Sequence, residues 1–255
     1  MPDQPTSPAL TYASYLRLDD LLAAQAPRSE EHDELLFIVI HQVYELWFKQ
    51  LIHELAHLQE RLFAGDTPAA LGTLRRMLAV LKTIVAQVDV LETLTPRGFL
   101  TFRDRLDAAS GFQSAQFRVL EAMLGRRDRG MLAPYAKGSP ERERIAAAME
   151  APDLFAALLG YLRARGRDVP DPSDEEALEL ALVAVYDDDA EASMVCEHLV
   201  DLDEGLQEWR YRHVQMVQRT IGTKQGTGGS AGADYLRTTL FRPVFPALWA
   251  IRSRL

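Results

Sequence analysis

Apolar residues recur at intervals of three and four positions along most of the chain, which is the spacing of one buried face of an α-helix. Leucine, alanine, glutamate and arginine, all good helix formers, dominate the sequence. Alternating runs of valine, isoleucine and threonine between turn residues, the usual sign of strands, are missing. The pattern therefore predicts an all-α fold.

Capping and helix-breaking residues divide this pattern into helices of unequal length. We predict a short helix over residues 14–25, stopped by Pro27, and then a long helix that Ser29 caps and that runs to about Phe63. The other helices are predicted over 69–94, from Thr95-Pro96 onward, about 140–150, 152–165, from Asp174 to the acidic run 187–189, from that run to about Ile221, and from the glycine-rich loop 222–232 to the C-terminus.

The first long helix contains His53-Glu54-Leu55-Ala56-His57, which matches the H-E-x-x-H pattern of zinc hydrolases. At about 100° per residue, both histidines fall on the polar side of this helix, away from its stripe of phenylalanines and leucines. No acidic residue lies between Asp66 and Asp89 to serve as a third ligand at short spacing. We therefore interpret the match as a solvated helix face.

The 255 residues carry a formal net charge of −9 and include one cysteine, Cys196. An acidic chain without a basic patch does not favour nucleic acid as a partner. The first ten residues lack the features of a secretory signal, and no stretch approaches the roughly 20 apolar residues of a membrane helix. The single cysteine fits a reducing compartment. We expect a cytoplasmic protein that does not enter a membrane.

Two histidines lie on apolar helix faces. His41 is at the edge of a stripe with Phe37 and Tyr44, where it is either a core histidine satisfied by one hydrogen bond or a functional group. His213 is at the centre of a stripe, where it is either structural or the single axial ligand that a haem iron needs. Arg210 and Arg212 beside it are of the type that pairs with haem propionates, although exposed helix arginines look the same.

Arg103 shares one helix face with Phe99, Phe102 and Leu106. An arginine among aromatic residues rarely stays unpaired, so it either forms a structural ion pair or holds the carboxylate of a substrate such as an amino acid. The glycines of loop 222–232 allow backbone N–H groups to meet an anion, but a flexible linker has the same composition.

The chain resembles the tryptophan 2,3-dioxygenase family in four long stretches that occur in the family's order: TYASYLRLDDLL, HDELLFIVIHQVYELWFK, LETLTPRGFLTFRDRLDAASGFQSAQFR and WRYRHVQMVQRTIGTKQGTGGSAGADYL. The resemblance implies one domain over residues 1–255, a bundle of long antiparallel helices with a buried haem pocket. It implies an enzyme that uses haem b and dioxygen to open the pyrrole ring of L-tryptophan, giving N-formylkynurenine. It also implies a homotetramer, a dimer of dimers, in which residues 1–28 contact a neighbouring subunit.

Matched by position, the resemblance makes His213 the axial ligand of the haem iron and His41 the distal histidine that hydrogen-bonds the indole N–H. Arg103 corresponds to the residue that grips the substrate carboxylate, and Thr227 to the one that assists at its ammonium and carboxylate. The remaining matched positions line the pocket: Phe37, Phe99 and Leu106 at the substrate, Ser110, Gly111 and Phe117 at the haem, and Tyr12 and Tyr15 donated by the neighbouring chain.

The chain departs from the family's pattern at five positions. Phe99 and Phe117 stand where the family usually has tyrosine, Val88 where it has tryptophan, and Thr223 and Gln225 where its glycine loop has phenylalanine and arginine. An alternative function is therefore a homologue that inserts one oxygen atom into a tryptophan derivative, for example a methylated tryptophan converted to a 2-oxindole in secondary metabolism. A second alternative is a helical haem-binding sensor without turnover.

Overall fold

A computed structural model describes residues 9–107, 109–226 and 236–255. The regular structure in these residues is helical, without a strand, which confirms the predicted all-α fold. The α-helices are α1 Tyr12–Leu16, α2 Leu18–Leu22, α3 His32–Phe63, α4 Thr67–Leu91, α5 Pro96–Phe102, α6 Ala115–Met123, α7 Pro140–Glu150, α8 Leu154–Ala164, α9 Glu175–Asp188, α10 Ala190–Ile221 and α11 Pro246–Ala250. Short 3₁₀ helices cover Arg103–Arg105, Gly111–Gln113, Arg129–Leu132 and Ile251–Ser253.

The core forms where α4 packs against both α3 and α10, while α6 and α8 cover other faces of α3. Leu55, Leu58 and Leu62 of α3 are fully buried, as predicted from the leucine stripe. At Gly205, α10 approaches α4 so closely that a Cβ atom would lie 2.7 Å from a methyl group of Leu81. The absence of a side chain at Gly205 allows α10, which carries His213, to pack this closely on α4.

Helix boundaries follow the predicted breaks where a side chain caps the next helix. Thr95 accepts a hydrogen bond from the Gly98 N–H and starts α5, with Pro96 in its first turn. Asp189 accepts from the Ala192 N–H and separates α9 from α10, and it also pairs with Arg165 at 2.8 Å. The predicted break at the acidic run is confirmed.

Three helix predictions were wrong. Ser29 does not cap α3: its N–H and hydroxyl both donate to the buried carboxylate of Glu34, and α3 begins after Glu31. Arg17, in the left-handed conformation at φ 52°, divides the first helix into α1 and α2. The chain is not one continuous helix between residue 236 and the C-terminus, because Phe241 is left-handed at φ 56° and Pro243 lacks the N–H that a continuing helix needs, and α11 begins only at Pro246.

Asp203, which is fully buried in α10, holds the C-terminal segment instead. One carboxylate oxygen accepts hydrogen bonds from the N–H groups of Val244 at 2.7 Å and Phe245 at 3.0 Å and from Nε1 of Trp249 at 2.9 Å. The other oxygen accepts from Gln207. The segment that leads to α11 is therefore tied to the middle of α10.

The H-E-x-x-H stretch lies as predicted. His53 and His57 are exposed, whereas Glu54 is buried and paired with Arg76 at 3.0 Å. Within residues 9–107, 109–226 and 236–255 no three His, Cys, Asp or Glu side chains are grouped to hold a metal ion. The predicted exposure of both histidines is confirmed.

Two stretches, His32–Phe63 and Pro140–Ala164, are long and apolar enough to cross a membrane by length and composition alone. The first is α3, which packs against α4, α6 and α8 of the bundle. The second is interrupted between α7 and α8. Core helices of a bundle have the same composition.

Candidate functional site

A deep cavity opens between α3, α5, α6 and α10. Its empty space, which includes open solvent at its mouth, is about 1630 Å³. Most of the residues singled out from the sequence line it: Phe37, His41, Phe99, Arg103, Ser110, Gly111, Phe117 and His213. Separate parts of the sequence are thus brought to one space.

His213 faces this cavity from α10. Neither of its ring nitrogens has a hydrogen-bond partner within the described residues, although its ring stacks on the indole of Trp209. Burial lowers the pKa of His213 to about 4, with a further contribution from His41 nearby. The imidazole is therefore neutral at physiological pH and has a free lone pair, as a metal ligand requires.

His41 reaches the same cavity from α3. Its Nδ1 lies 2.7 Å from the carbonyl oxygen of Phe37, and because a carbonyl can only accept, Nδ1 carries the proton. Burial lowers the pKa of His41, so the ring is neutral and Nε2 is left as an acceptor. A ligand in the cavity that donates an N–H is complementary to this nitrogen.

Aromatic rings form the apolar walls. Phe37, Phe99 and Phe102 pack with ring centroids 5.5–5.7 Å apart, and Phe37 also lies 4.1 Å from the His41 ring. A second group lies beside His213 and consists of Phe48, Phe117 and Trp209. The centroids of these three rings are 5.1–6.3 Å from one another. These walls suit a flat, largely apolar ligand.

Arg103 is the cation at the end of the cavity beside the glycine loop. It follows α5 in a 3₁₀ turn, and its Nη2 donates to the carbonyl oxygen of Gln225. No carboxylate within the described part of the chain lies within ion-pair distance of it, so the structural ion pair left open by the sequence is not formed there. Its other N–H groups have no hydrogen-bond partner among the described residues and can donate to an anionic ligand.

The turn after α5 also borders the cavity. Ser110 accepts a hydrogen bond from the Phe112 N–H and caps the 3₁₀ helix Gly111–Gln113. A Cβ atom on Gly111 would meet no protein atom within 4 Å. The backbone at Gly111 therefore faces open space in which a ligand can lie against it.

A polar cluster that the sequence analysis did not identify lies at another part of the wall. The buried carboxylate of Glu121 accepts from Arg118 and from Arg126, each at 2.6 Å. Arg118 also lies over the ring of Phe112. Tyr44 and Trp209 were likewise missed as cavity residues, although both fall on the apolar stripes of their helices.

Three of the described residues predicted for the site do not line the cavity of this chain. Leu106 packs behind its wall, in the cluster that includes Phe37 and Phe102. Tyr12 and Tyr15 in α1 are 76% and 70% exposed. Thr227 lies outside the described residues.

Comparison with known proteins agrees with the resemblance. The family model described as Tryptophan 2,3-dioxygenase matches residues 2–151 and 166–255. A protein of Anaeromyxobacter sp. (strain K) with that name is 66% identical over 98% of this chain and 97% of its own length. Proteins of the same name from Herpetosiphon aurantiacus and Caulobacter vibrioides are 53% and 42% identical, over 98% and 96% of this chain and 100% and 98% of their own lengths.

Proposed function

The chain belongs to the tryptophan 2,3-dioxygenase family, and on that premise we propose that its central cavity is where haem b, dioxygen and L-tryptophan meet. The protein is a haem-dependent oxidoreductase that oxidises tryptophan. The reaction adds both atoms of dioxygen across the C2–C3 bond of the indole and yields N-formylkynurenine. When bound, the haem supplies the iron chemistry that makes dioxygen reactive toward the indole ring.

His213 would hold the haem iron. A neutral imidazole that faces the cavity and has no hydrogen-bond partner among the described residues fits a ligand of the haem iron. Trp209 and Phe117 provide flat surfaces beside it, and the open backbone at Gly111 leaves room for a large planar ring. Ser110 and Gly111 would therefore border the haem.

Arg103 would bind the substrate's carboxylate. The Gln225 carbonyl holds its guanidinium, and no carboxylate among the described residues forms an ion pair with it. The guanidinium is therefore suited to two parallel hydrogen bonds with the substrate's carboxylate. Thr227, two residues further along the loop, would assist at the amino-acid end. These contacts fix one end of the substrate before reaction.

His41 would orient the other end of the substrate. The indole N–H is only a donor, and Nε2 of His41 is an acceptor because Nδ1 donates to Phe37. Phe37 and Phe99 would pack against the indole faces and exclude water, and Leu106 would support them from behind. His41 positions the ring and does not need to remove the indole proton.

The N-terminal segment suits an oligomer. Leu10, Tyr12, Tyr15 and Leu22 are each at least 70% exposed, an unusual number of large apolar groups for a free surface. We propose a cytoplasmic homotetramer, a dimer of dimers, in which residues 1–28 contact a neighbour and Tyr12 and Tyr15 complete its pocket. The haem dioxygenase domain would span residues 1–255.

The observation that carries this proposal is the presence, in one cavity, of the neutral His213 imidazole and the Arg103 guanidinium. Its test is the mass of the product when haem-loaded protein, reduced without air, receives L-tryptophan and ¹⁸O₂. We expect both labelled atoms in the product. One labelled atom would support the monooxygenase alternative instead, and the absence of tryptophan-dependent dioxygen consumption would support a sensor.

A further inference from the structure

Arg210 stands at the junction of two cavities. It lines the main cavity one helical turn before His213, and it also lines a smaller adjoining cavity with Arg126, Thr239 and Arg242. Since residues three apart share a helix face, Arg210 and His213 point into the same space. A ligand held by His213 therefore extends toward this guanidinium.

The Arg210 guanidinium is incompletely compensated. Its one protein hydrogen bond within the described residues runs from Nη1 to the carbonyl oxygen of Arg242, at 3.1 Å. The carboxylates nearby are Glu121 and Asp203. Arg118 and Arg126 already bind both oxygens of Glu121, and Asp203 already accepts four hydrogen bonds from other donors. Partial burial lowers the pKa of Arg210. A partly buried cation in this position is stabilised by an anion brought with the ligand.

Arg212 provides the contrast. It lies two residues later on the same helix, and its guanidinium leaves the cavity to pair with Asp89 and Glu92 of α4. Its charge is thus compensated within the protein. Among the described residues, Arg210 lines the cavity with one hydrogen bond to protein, whereas Arg212 does not line it.

One cation of the cavity wall is left for the cofactor. Among the described lining residues the charged side chains are Glu45, Arg103, Arg118, Glu121, Arg126 and Arg210, so that two positive charges are in excess. The proposed function assigns Arg103 to the substrate's carboxylate. The charge of Arg210 is then available for a carboxylate of the cofactor, such as a haem propionate.

We propose that Arg210 binds a haem propionate at the junction of the two cavities, and that Arg212 takes no part in cofactor binding. This assignment rests on the proposed function, because it requires haem in the main cavity. Arg210 would add to the iron ligand a second, electrostatic point of attachment for the cofactor.

The test compares haem with its dimethyl ester, in which both propionates are neutral. Each is titrated into apo-protein of the wild type, Arg210→Gln and the matched control Arg212→Gln, and the dissociation constant is obtained from the Soret absorbance. We expect the wild type to prefer haem over the ester by at least about tenfold. Arg210→Gln should remove most of that preference, and Arg212→Gln should retain it.

Arg210→Lys keeps the positive charge and provides a second test if the glutamine variant misfolds. It should keep part of the preference for haem over the ester. An equal affinity of the wild type for haem and ester, or an unchanged preference in folded Arg210→Gln, would overturn the assignment. If the wild type binds neither compound, the proposed function itself fails.

Discussion

The indole ring of Trp209 stacks on the imidazole ring of His213, with 5.3 Å between the ring centroids and 7° between the ring planes. The two residues are one turn apart on α10, and Trp209 in turn packs against Phe48 and Phe117. The stack limits the rotation of the imidazole about its own side-chain bonds. Trp209 is therefore a positioning residue for the proposed iron ligand.

We expect Trp209→Leu to release haem about two- to tenfold faster than the wild type, because it loses the interaction energy of one aromatic pair. Trp209→Phe keeps a flat ring and should lose less. The measurement is the rate at which haem passes from the holoprotein to an excess of a haem-scavenging protein. Equal rates for the wild type and both variants would show that the stack does not position His213.

His41→Ala should weaken tryptophan binding by about two- to tenfold, the worth of one neutral hydrogen bond. The loss should vanish with 1-methyltryptophan, which has no indole N–H to donate. Since burial lowers the pKa of His41, its neutral form persists at pH 6.5, and protonation should reduce binding only at lower pH. Binding is measured by the spectral change on adding substrate, and a loss of the same size with both compounds would contradict the hydrogen bond.

Arg103→Gln should raise the KM for L-tryptophan by about 10- to 100-fold, because a charged hydrogen-bonded contact is lost. Tryptamine, which lacks the carboxylate, should bind the variant as well as it binds the wild type. Arg97→Gln, an exposed arginine in the first turn of α5, is the matched control and should leave both values unchanged. If Arg103→Gln weakened the binding of tryptamine as much as that of L-tryptophan, the guanidinium would not bind the carboxylate.

Asp203→Ala should lower the free energy of unfolding by about 3 kcal/mol, because it leaves one buried and two partly buried N–H donors without an acceptor. Chemical denaturation followed by circular dichroism measures this change. Glu204→Ala, an exposed neighbour on α10, should change it by no more than about 0.5 kcal/mol. Similar values for the two variants would mean that the C-terminal segment is held by other contacts.

Sequence patterns predicted the features that depend on one helix at a time. The projection that turns His53 and His57 to solvent and His213 to the core needs only the helical repeat. The break at Asp189 follows from its own capping preference. The same projection also distinguishes the two arginines beside His213. Arg210 lies on the helix face of His213, whereas Arg212 lies about 100° away from His213.

Features built from several segments could not be predicted in this way. Ser29 suits a helix cap by type, but the buried carboxylate of Glu34 binds both its N–H and its hydroxyl. Arg103 is held by the carbonyl of Gln225, 122 positions later, and spacing within α5 cannot reveal that partner. The pairing of Arg126 with Glu121 likewise depends on how the chain turns after α6.

The central claim is that His213 binds the haem iron, and His213→Gly tests it most directly. The control is His198→Gly, in the N-terminal half of α10. Each variant is titrated with haem in the absence and presence of imidazole. We predict that His213→Gly loses stable haem binding and its axial-ligand spectrum, that added imidazole restores both in part, and that His198→Gly behaves as the wild type does. Haem binding by folded His213→Gly with an unchanged affinity and spectrum would contradict the account.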